Sequence, residues 1–474
     1  MPRVRVLSDQ ELAGIQDASL DILERVGILV RHEGMRGLLA ASGAGVREGN
    51  SLVTLPARLI ESCLAVAPRS FSVMGLSPSD DKPLSIDDGP YARAAAGIDA
   101  ILDDETGTRR PATQSDAAKW SRLVESLDGI HLNSPLYPQD LPGPIRDVAA
   151  LESSLRFSRK PVVICAYSKK STQWMSRLTS VLPRGGGSRV ILVFSCDSPL
   201  VFSEEQVDIM MVAASSGFPI LLNTASLAGA TAPVTRMGCM VQMNAELMAA
   251  LALVQIAFPG APVICDAQPL IFDMRTGSAA FGYAELGIMN AAFTELARGH
   301  KLPVESSGMK TDSHTPGAQA ASEKVLTGYL SALAGATILS GAGCLATAGT
   351  ASPAQLVLDE ELFGQVFHVL EGIPAEDVCA IRDVIGRIGA GGNYLADEHT
   401  LRHFRTEYRI STFGVREGYD SWQVRGRRTM ECEAAERARK ILSNPEQEAV
   451  DDQTGRELSL IVQEAREALV ADGG

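Results

Sequence analysis

Paired cysteines, aromatic side chains and clustered positive charge are what this sequence is short of, and each shortage removes a class of function. Its eight cysteines (Cys63, Cys165, Cys196, Cys239, Cys265, Cys344, Cys379 and Cys432) are scattered with no CxxC pair. That pattern fits reduced thiols better than a zinc site or a disulfide framework. Lys and Arg number 43 against 57 Asp and Glu, a net charge of −14, which argues against nucleic acid or an anionic membrane as the main partner. Long unbroken apolar runs are missing too. Residues 247–265 are interrupted by Pro259-Gly260, and 329–349 carry four glycines and two serines, so each predicts a buried helix followed by a strand rather than a membrane span. Gly341-Ala342-Gly343 lacks the third glycine of a dinucleotide-binding loop. The opening stretch MPRVRVLSDQELAG has no apolar signal-peptide core, so a cytoplasmic location is expected.

What is present is a globular composition, 45% hydrophobic and 21% charged over 474 residues. Ser8-Asp9-Gln10-Glu11 has the spacing of a capping box, and Leu12, Ile15, Ile22, Leu23 and Val26 follow on one helical face. Residues 1–90 thus predict a helical N-terminal extension. Short β-rich runs then recur at 97–102, 130–133, 162–165, 190–194, 220–222, 263–265, 303–305 and 337–339, each followed by a polar loop and a helical pattern. Parallel neighbours need such helical crossovers, and eight of them predict an α/β fold, a (β/α)₈ TIM barrel over 91–350. Residues 351–474 predict a mainly helical region packing on that barrel.

Barrel chemistry sits at the C-terminal ends of the strands. That rule directs attention to Asp99, Asn133, Tyr167, Ser195, Asp197, Asn223, Thr224, Asp266, Gln268, Ser306, Ser307 and Ser340, with Lys310, Asp312 and His314 on the loop above the seventh strand. The plainer expectation is that many of them cap the next helix, since Ser, Asp and Asn are preferred N-caps. His399 and His403 are four apart on a predicted helix, which is metal-ligand spacing, but the flanks are not HExxH. No metal is expected there. A metal-assisted barrel lyase or hydrolase using these histidines is an alternative function.

Eight segments carry a family resemblance: DDETGTRRPAT (103–113), YPQDLP (137–142), LAGATAPVT (227–235), NAELMAALALVQ (244–255), DMRTGSAAFG (273–282), GMKTDSH with QAASEK (308–324), GAGCLATAGTASPAQLVLDEELFG (341–364) and GAGGNYLADEHTLRHFR (389–405). In this order they resemble the trimethylamine methyltransferase family. The resemblance implies a (β/α)₈ barrel that moves a methyl group from an amine to the cobalt of cobalamin carried by a separate corrinoid protein. Founding members of that family use pyrrolysine. This chain has only the standard twenty residues and so resembles the branch similar to glycine betaine methyltransferase. A small quaternary amine is then the expected substrate, the corrinoid protein the partner, and a homo-oligomer the expected assembly. Where relatives read like DAQAGYEK, residues 317–324 are GAQAASEK. That departure keeps a noncatalytic betaine-binding homologue as a second alternative.

A quaternary ammonium already carries the positive charge that makes nitrogen a leaving group, so the protein mainly has to position it. Cations are held by aromatic faces and carboxylates. With only 5% aromatic residues, carboxylates are expected to dominate: Asp99, Asp266 and Asp312 at the ammonium, with Tyr91, Tyr283 and Tyr394 as walls and Asn223 and Gln268 beside them. Arg275 or Arg93 would fork a carboxylate tail, although Arg275 could equally pin its own loop through Asp273. His314 and Asp312 are the expected catalytic pair, and His399 joins the substrate-binding set.

Overall fold

Runs of branched aliphatics such as Val162-Val163-Ile164 and Val190-Ile191-Leu192-Val193 form the strands of a parallel sheet because both of their faces are covered. The computed structural model describes residues 3–47, 49–374 and 377–471. Its central sheet runs Tyr91–Ala94, Ile338–Ala342, Val304–Ser306, Val263–Ala267, Ile220–Thr224, Val190–Cys196 and Val162–Ile164, every neighbour parallel. An eighth segment closes the ring. Arg93 bridges Leu132 and Asn133 bridges Val162, with Ala94 N–H donating to Leu132 O at 3.1 Å and Val163 N–H to Asn133 O at 2.9 Å. The fold is the expected (β/α)₈ barrel.

One strand assignment is corrected. The first barrel strand is Tyr91–Ala94, not 97–102. Gly97, with φ of +78°, turns the chain out of the barrel. Ala100–Leu102 then pairs antiparallel with Arg109–Pro111 and parallel with Thr350–Ala351 in a separate four-stranded sheet. Tyr-Ala-Arg-Ala escaped the sequence reading because it lacks β-branched residues, which are the usual mark of a strand.

Leu132, Val163, Ile191, Leu221, Ile264 and Ile338 fill the lower interior, joined by Val73 and Leu84 of the hairpin Phe71–Val73/Lys82–Leu84. The bottom of the barrel is thus an apolar plug. Helix Arg236–Ala257 is long and apolar enough to span a membrane, yet most of it is buried against helices Asp9–Arg25 and Ala57–Val66. It is followed by strand Val263–Ala267, as its interrupted apolar run predicts. The expected Ser8–Glu11 capping box is present, with Ser8 N–H donating to Glu11 Oε2 at 2.8 Å. Helix Pro353–Leu370 completes the eighth unit and packs on Met430–Ser443, while the final helix Asp452–Ala471 packs on Arg146–Phe157 and Lys169–Ser180.

A wholly buried ion pair joins the last two barrel helices. Lys324 Nζ lies 2.8 Å from Asp359 Oδ2 and also donates to the carbonyls of Gly341 and Met309. Asp359 accepts in addition from Gly343 N–H and Gln355 Nε2. Removing one partner of such a pair leaves an uncompensated charge, so Lys324→Met should cost about 3–5 kcal/mol. Urea unfolding should show the double variant Lys324→Met/Asp359→Leu less destabilised than the single one, the opposite order being incompatible with this account.

Candidate active site at the barrel mouth

The register of three neighbouring strand pairs places Ser195, Asn223, Asp266 and Glu305 side by side. The first three are joined by hydrogen bonds, and Glu305 is held separately by Arg93. Ser195 Oγ donates to Asn223 Oδ1 at 3.1 Å, and Asn223 Nδ2 donates to Asp266 Oδ2 at 2.8 Å. Glu305 receives a two-pronged contact from Arg93, Nε to Oε2 at 2.9 Å and Nη2 to Oε1. Arg93 Nη1 donates to Ser134 Oγ at 2.8 Å. Gln268 Nε2 donates to Asp266 Oδ2 at 2.7 Å, and Lys310 Nζ donates to Gln268 Oε1. Lys310 Nζ also sits 4.6 Å from the centre of the Phe281 ring.

All of these charged side chains are buried. Burial, with the charge of Glu305 adding to it, pushes the Asp266 carboxyl up to about 7. Burial pulls Lys310 down, partly offset by Asp266, and raises the Cys165 thiol to about 11. Beside them Tyr137 donates its hydroxyl to Cys165 O at 2.8 Å and stacks on Tyr167, ring centres 5.3 Å apart.

Two buried polar atoms here have no partner: Asp266 Oδ1 and Ser307 Oγ. Buried polar groups are ordinarily paired, and orphans converging at a barrel mouth mark where a ligand or water belongs. The strand-end rule had pointed to Ser307, whereas Asn133, registered with Val162 and next to inward Leu132, faces the surrounding helices. Glu305 escaped it because it reads as part of the strand, and Lys310, expected on the loop above, reaches back to Gln268. Inward alternation, with Glu305 two residues before Ser307, was the available signal.

The remaining sequence-derived candidates lie in several places. Asp312 is half-buried and accepts from the N–H groups of Phe281 (2.8 Å) and Gly282 (2.7 Å) and from Thr347 Oγ1 (2.9 Å). It therefore ties the Phe281 loop to the loop after the seventh strand. His314 is exposed on that loop, and Asp99 is exposed at the start of the sheet that begins with Ala100. Tyr91 lies in the lower apolar layer, edge-on to His131 at 5.5 Å. Arg275 is exposed and paired with Asp273 at 3.2 Å, the loop-pinning arrangement that the sequence left open. Tyr394 and His399 belong to a segment beyond the barrel. There His399 and His403 lie 4.6 Å apart ring to ring, and no group of three or more His, Cys, Asp or Glu among the described residues is placed to hold a metal ion.

A family model described as trimethylamine methyltransferase matches residues 1–469. The chain belongs to that family. It is 29% identical over 466 residues to trimethylamine methyltransferase MttB of Desulfitobacterium hafniense, covering 97% of this chain and 94% of that one. It is 28% identical over 472 residues to a glycine betaine methyltransferase of the same species, covering 98% and 97%. MttB of Methanosarcina barkeri matches at 26% over 491 residues, 98% and 96%. Among solved structures the Methanosarcina barkeri monomethylamine methyltransferase aligns with a TM-score of 0.48 at 11% identity, over 92% of this chain and 93% of that one. The membership expected from the eight segments therefore holds over residues 1–469.

The raised Asp266 carboxyl has a stability consequence in this family member. The unfolded carboxyl ionises near 4, whereas the folded one holds its proton to about 7. Its contribution is complete below pH 4 and is lost as pH rises toward 7. Denaturant titrations at pH 4.5, 6 and 7.5 should accordingly show Asp266→Asn gaining on the wild type as pH rises, and a constant difference would refute the assignment.

Proposed function

We propose that this protein transfers a methyl group from a quaternary ammonium donor of betaine type to the Co(I) of a cognate corrinoid protein. The observation that carries the donor class is the charge pattern of the mouth. Two buried acids, Asp266 and Glu305, face two buried bases, Arg93 and Lys310. Glu305 and Arg93 satisfy each other, while Asp266 keeps a free oxygen and Lys310 has a neutral amide as its hydrogen-bond partner. A zwitterion laid between Asp266 and Lys310 adds no net charge to a desolvated site, which favours it over a simple cation.

In this reading Asp266 holds the ammonium and Lys310 the carboxylate tail. Asn223 and Gln268 orient the Asp266 carboxylate, and Ser307 lends a further donor. The C–N bond breaks as the acceptor's electron pair bonds to the methyl carbon, and the nitrogen keeps the old pair and leaves as a neutral tertiary amine. The corrinoid supplies that two-electron nucleophile. Asp312 fixes the loop above the donor, and exposed His314 faces the side from which an acceptor would approach.

Methyl transfer from a panel of quaternary amines to reduced cobalamin, followed by visible absorption, tests this. Asp266→Asn should lower kcat/KM by about 30-fold or more, since losing a buried charge partner costs about 2–5 kcal/mol. Lys310→Met should do likewise for carboxylate-bearing donors and leave choline-like ones unchanged, and His314→Ala should slow transfer without weakening donor binding. Betaine binding by the wild type with no transfer to any corrinoid would instead establish a noncatalytic binding protein.

A cation beside Asp266 favours the ionised carboxylate. Donor affinity should therefore rise as pH increases through about 7, with a proton released on binding. Calorimetry in buffers of differing ionisation enthalpy reads both effects, and Asp266→Asn should abolish them.

A further inference from the structure

Two lysines on the chain between the seventh and eighth barrel strands are buried, and they are held differently. Lys324 gives its hydrogens to Asp359 at 2.8 Å and to the carbonyls of Met309 at 3.1 Å and Gly341 at 2.8 Å. Lys310 has instead the neutral Gln268 Oε1 as its hydrogen-bond partner, with the centre of the Phe281 ring 4.6 Å away. The same amide donates from Nε2 to Asp266 Oδ2 at 2.7 Å. A single carboxamide therefore separates a primary amine from a carboxyl whose second oxygen is unpartnered. An amine and an acid so placed are the parts that imine formation requires. Burial weakens the hold of Lys310 on its proton, which leaves a larger share of free amine than a solvated lysine has. Asp266 keeps a proton to about pH 7, which it can deliver as a general acid. Weakened basicity is not sufficient on its own. Lys160, brought down by burial to about 8, is engaged by the carbonyls of Val124 and Leu127 at the opposite end of the barrel.

We propose that Lys310 captures small aldehydes bearing a quaternary ammonium group as a reversible imine. This rests on the placement of the ammonium at Asp266 in the function proposed above. In an aldehyde of that class, with ammonium and carbonyl one methylene apart, the two ends reach the two groups that Gln268 bridges. The Lys310 Nζ lone pair bonds to the carbonyl carbon, the π pair moves to oxygen, and a proton passes from nitrogen to that oxygen. Asp266 then gives its proton to the hydroxyl, which leaves as water, and the nitrogen pair completes the C=N bond. Asp266 ends as a carboxylate beside the ammonium, and the protonated imine keeps a cation at the face of Phe281. The carboxylate counterpart of such an aldehyde is not open to this attack and binds by charge alone. One site thus holds the acid form by ion contacts and the aldehyde form through a covalent bond.

Trimethylammonioacetaldehyde and its uncharged isostere tert-butylacetaldehyde, each added to the full chain with sodium cyanoborohydride at pH 7 and followed by intact-mass and peptide-mapping mass spectrometry, test this. The expected result is one adduct per chain, at Lys310, formed at least about tenfold faster from the cationic aldehyde, a contact to a charged group being worth that much. Exposed lysines such as Lys119 and Lys301 should react slowly, since a solvated lysine is protonated at that pH. Lys310→Arg, which keeps a cation against Phe281 but has no amine able to condense, should give no adduct. Asp266→Asn should slow adduct formation about 100-fold, the lower end of what a general acid contributes. Mapping on the wild type decides the question even if a variant misfolds. Absence of an adduct at Lys310, or modification of exposed lysines with Lys310 spared, would overturn the inference and leave the donor reading to its methyl-transfer assay. An adduct at Lys310 formed equally fast from tert-butylacetaldehyde would overturn the ligand class and, with it, the placement of an ammonium at Asp266.

Discussion

Everything at the mouth of this barrel depends on how Asp266 is surrounded. A carboxylate taken fully out of water is tolerated only if it is paired, hydrogen-bonded or neutral. Here one oxygen is satisfied by two amide donors, Asn223 and Gln268, and the other is left open. The nearest acid, Glu305, is occupied by Arg93, so it presses on Asp266 electrostatically without competing for its donors. The outcome is a carboxyl poised near neutrality, able to ionise when a cation arrives.

Such a group is useful only if its neighbours cannot relax to satisfy it, and the surrounding structure is built against relaxation. Glu323 accepts from Asp312 N–H and Thr311 Oγ1, and Asp312 in turn grips Phe281 and Gly282. Lys324, the next residue, is locked to Asp359. On the opposite side Glu246 gathers Ser198, Thr224, Ser226 and Leu200 N–H and pins the loops after two other strands. The acids that hold the loops therefore differ from the acid that keeps an unpartnered oxygen. GAQAASEK contains Glu323 and Lys324, so the departures at Gly317 and Ser322 leave this bracing intact.

Periodicity made most of the barrel legible, because seven of its eight strand segments are apolar runs ending in polar residues. Tyr91–Ala94 was hidden by its alanines. Among the candidate residues, Asn223, Asp266 and Gln268 could be named from strand ends alone. Lys310 could not be given its place, since a lysine six residues past Val304 reads as solvated loop until the loop folds back over the mouth. Asp312 and Arg275 drew attention for their charge, but what a loop carboxylate or guanidinium touches is decided by backbone N–H groups and neighbours that no spacing rule reveals.

The scarcity of aromatic residues acquires a local meaning in this arrangement. A quaternary ammonium can be held by ring faces or by carboxylates. At the mouth the face of Phe281 is already taken by Lys310, and Tyr137 is stacked on Tyr167 with its hydroxyl committed to Cys165. No ring of this set is left open on both sides to cage a cation. On the proposed reading the cationic end of a donor finds its main attraction at Asp266, with Lys310, set against the Phe281 ring, as the opposite pole.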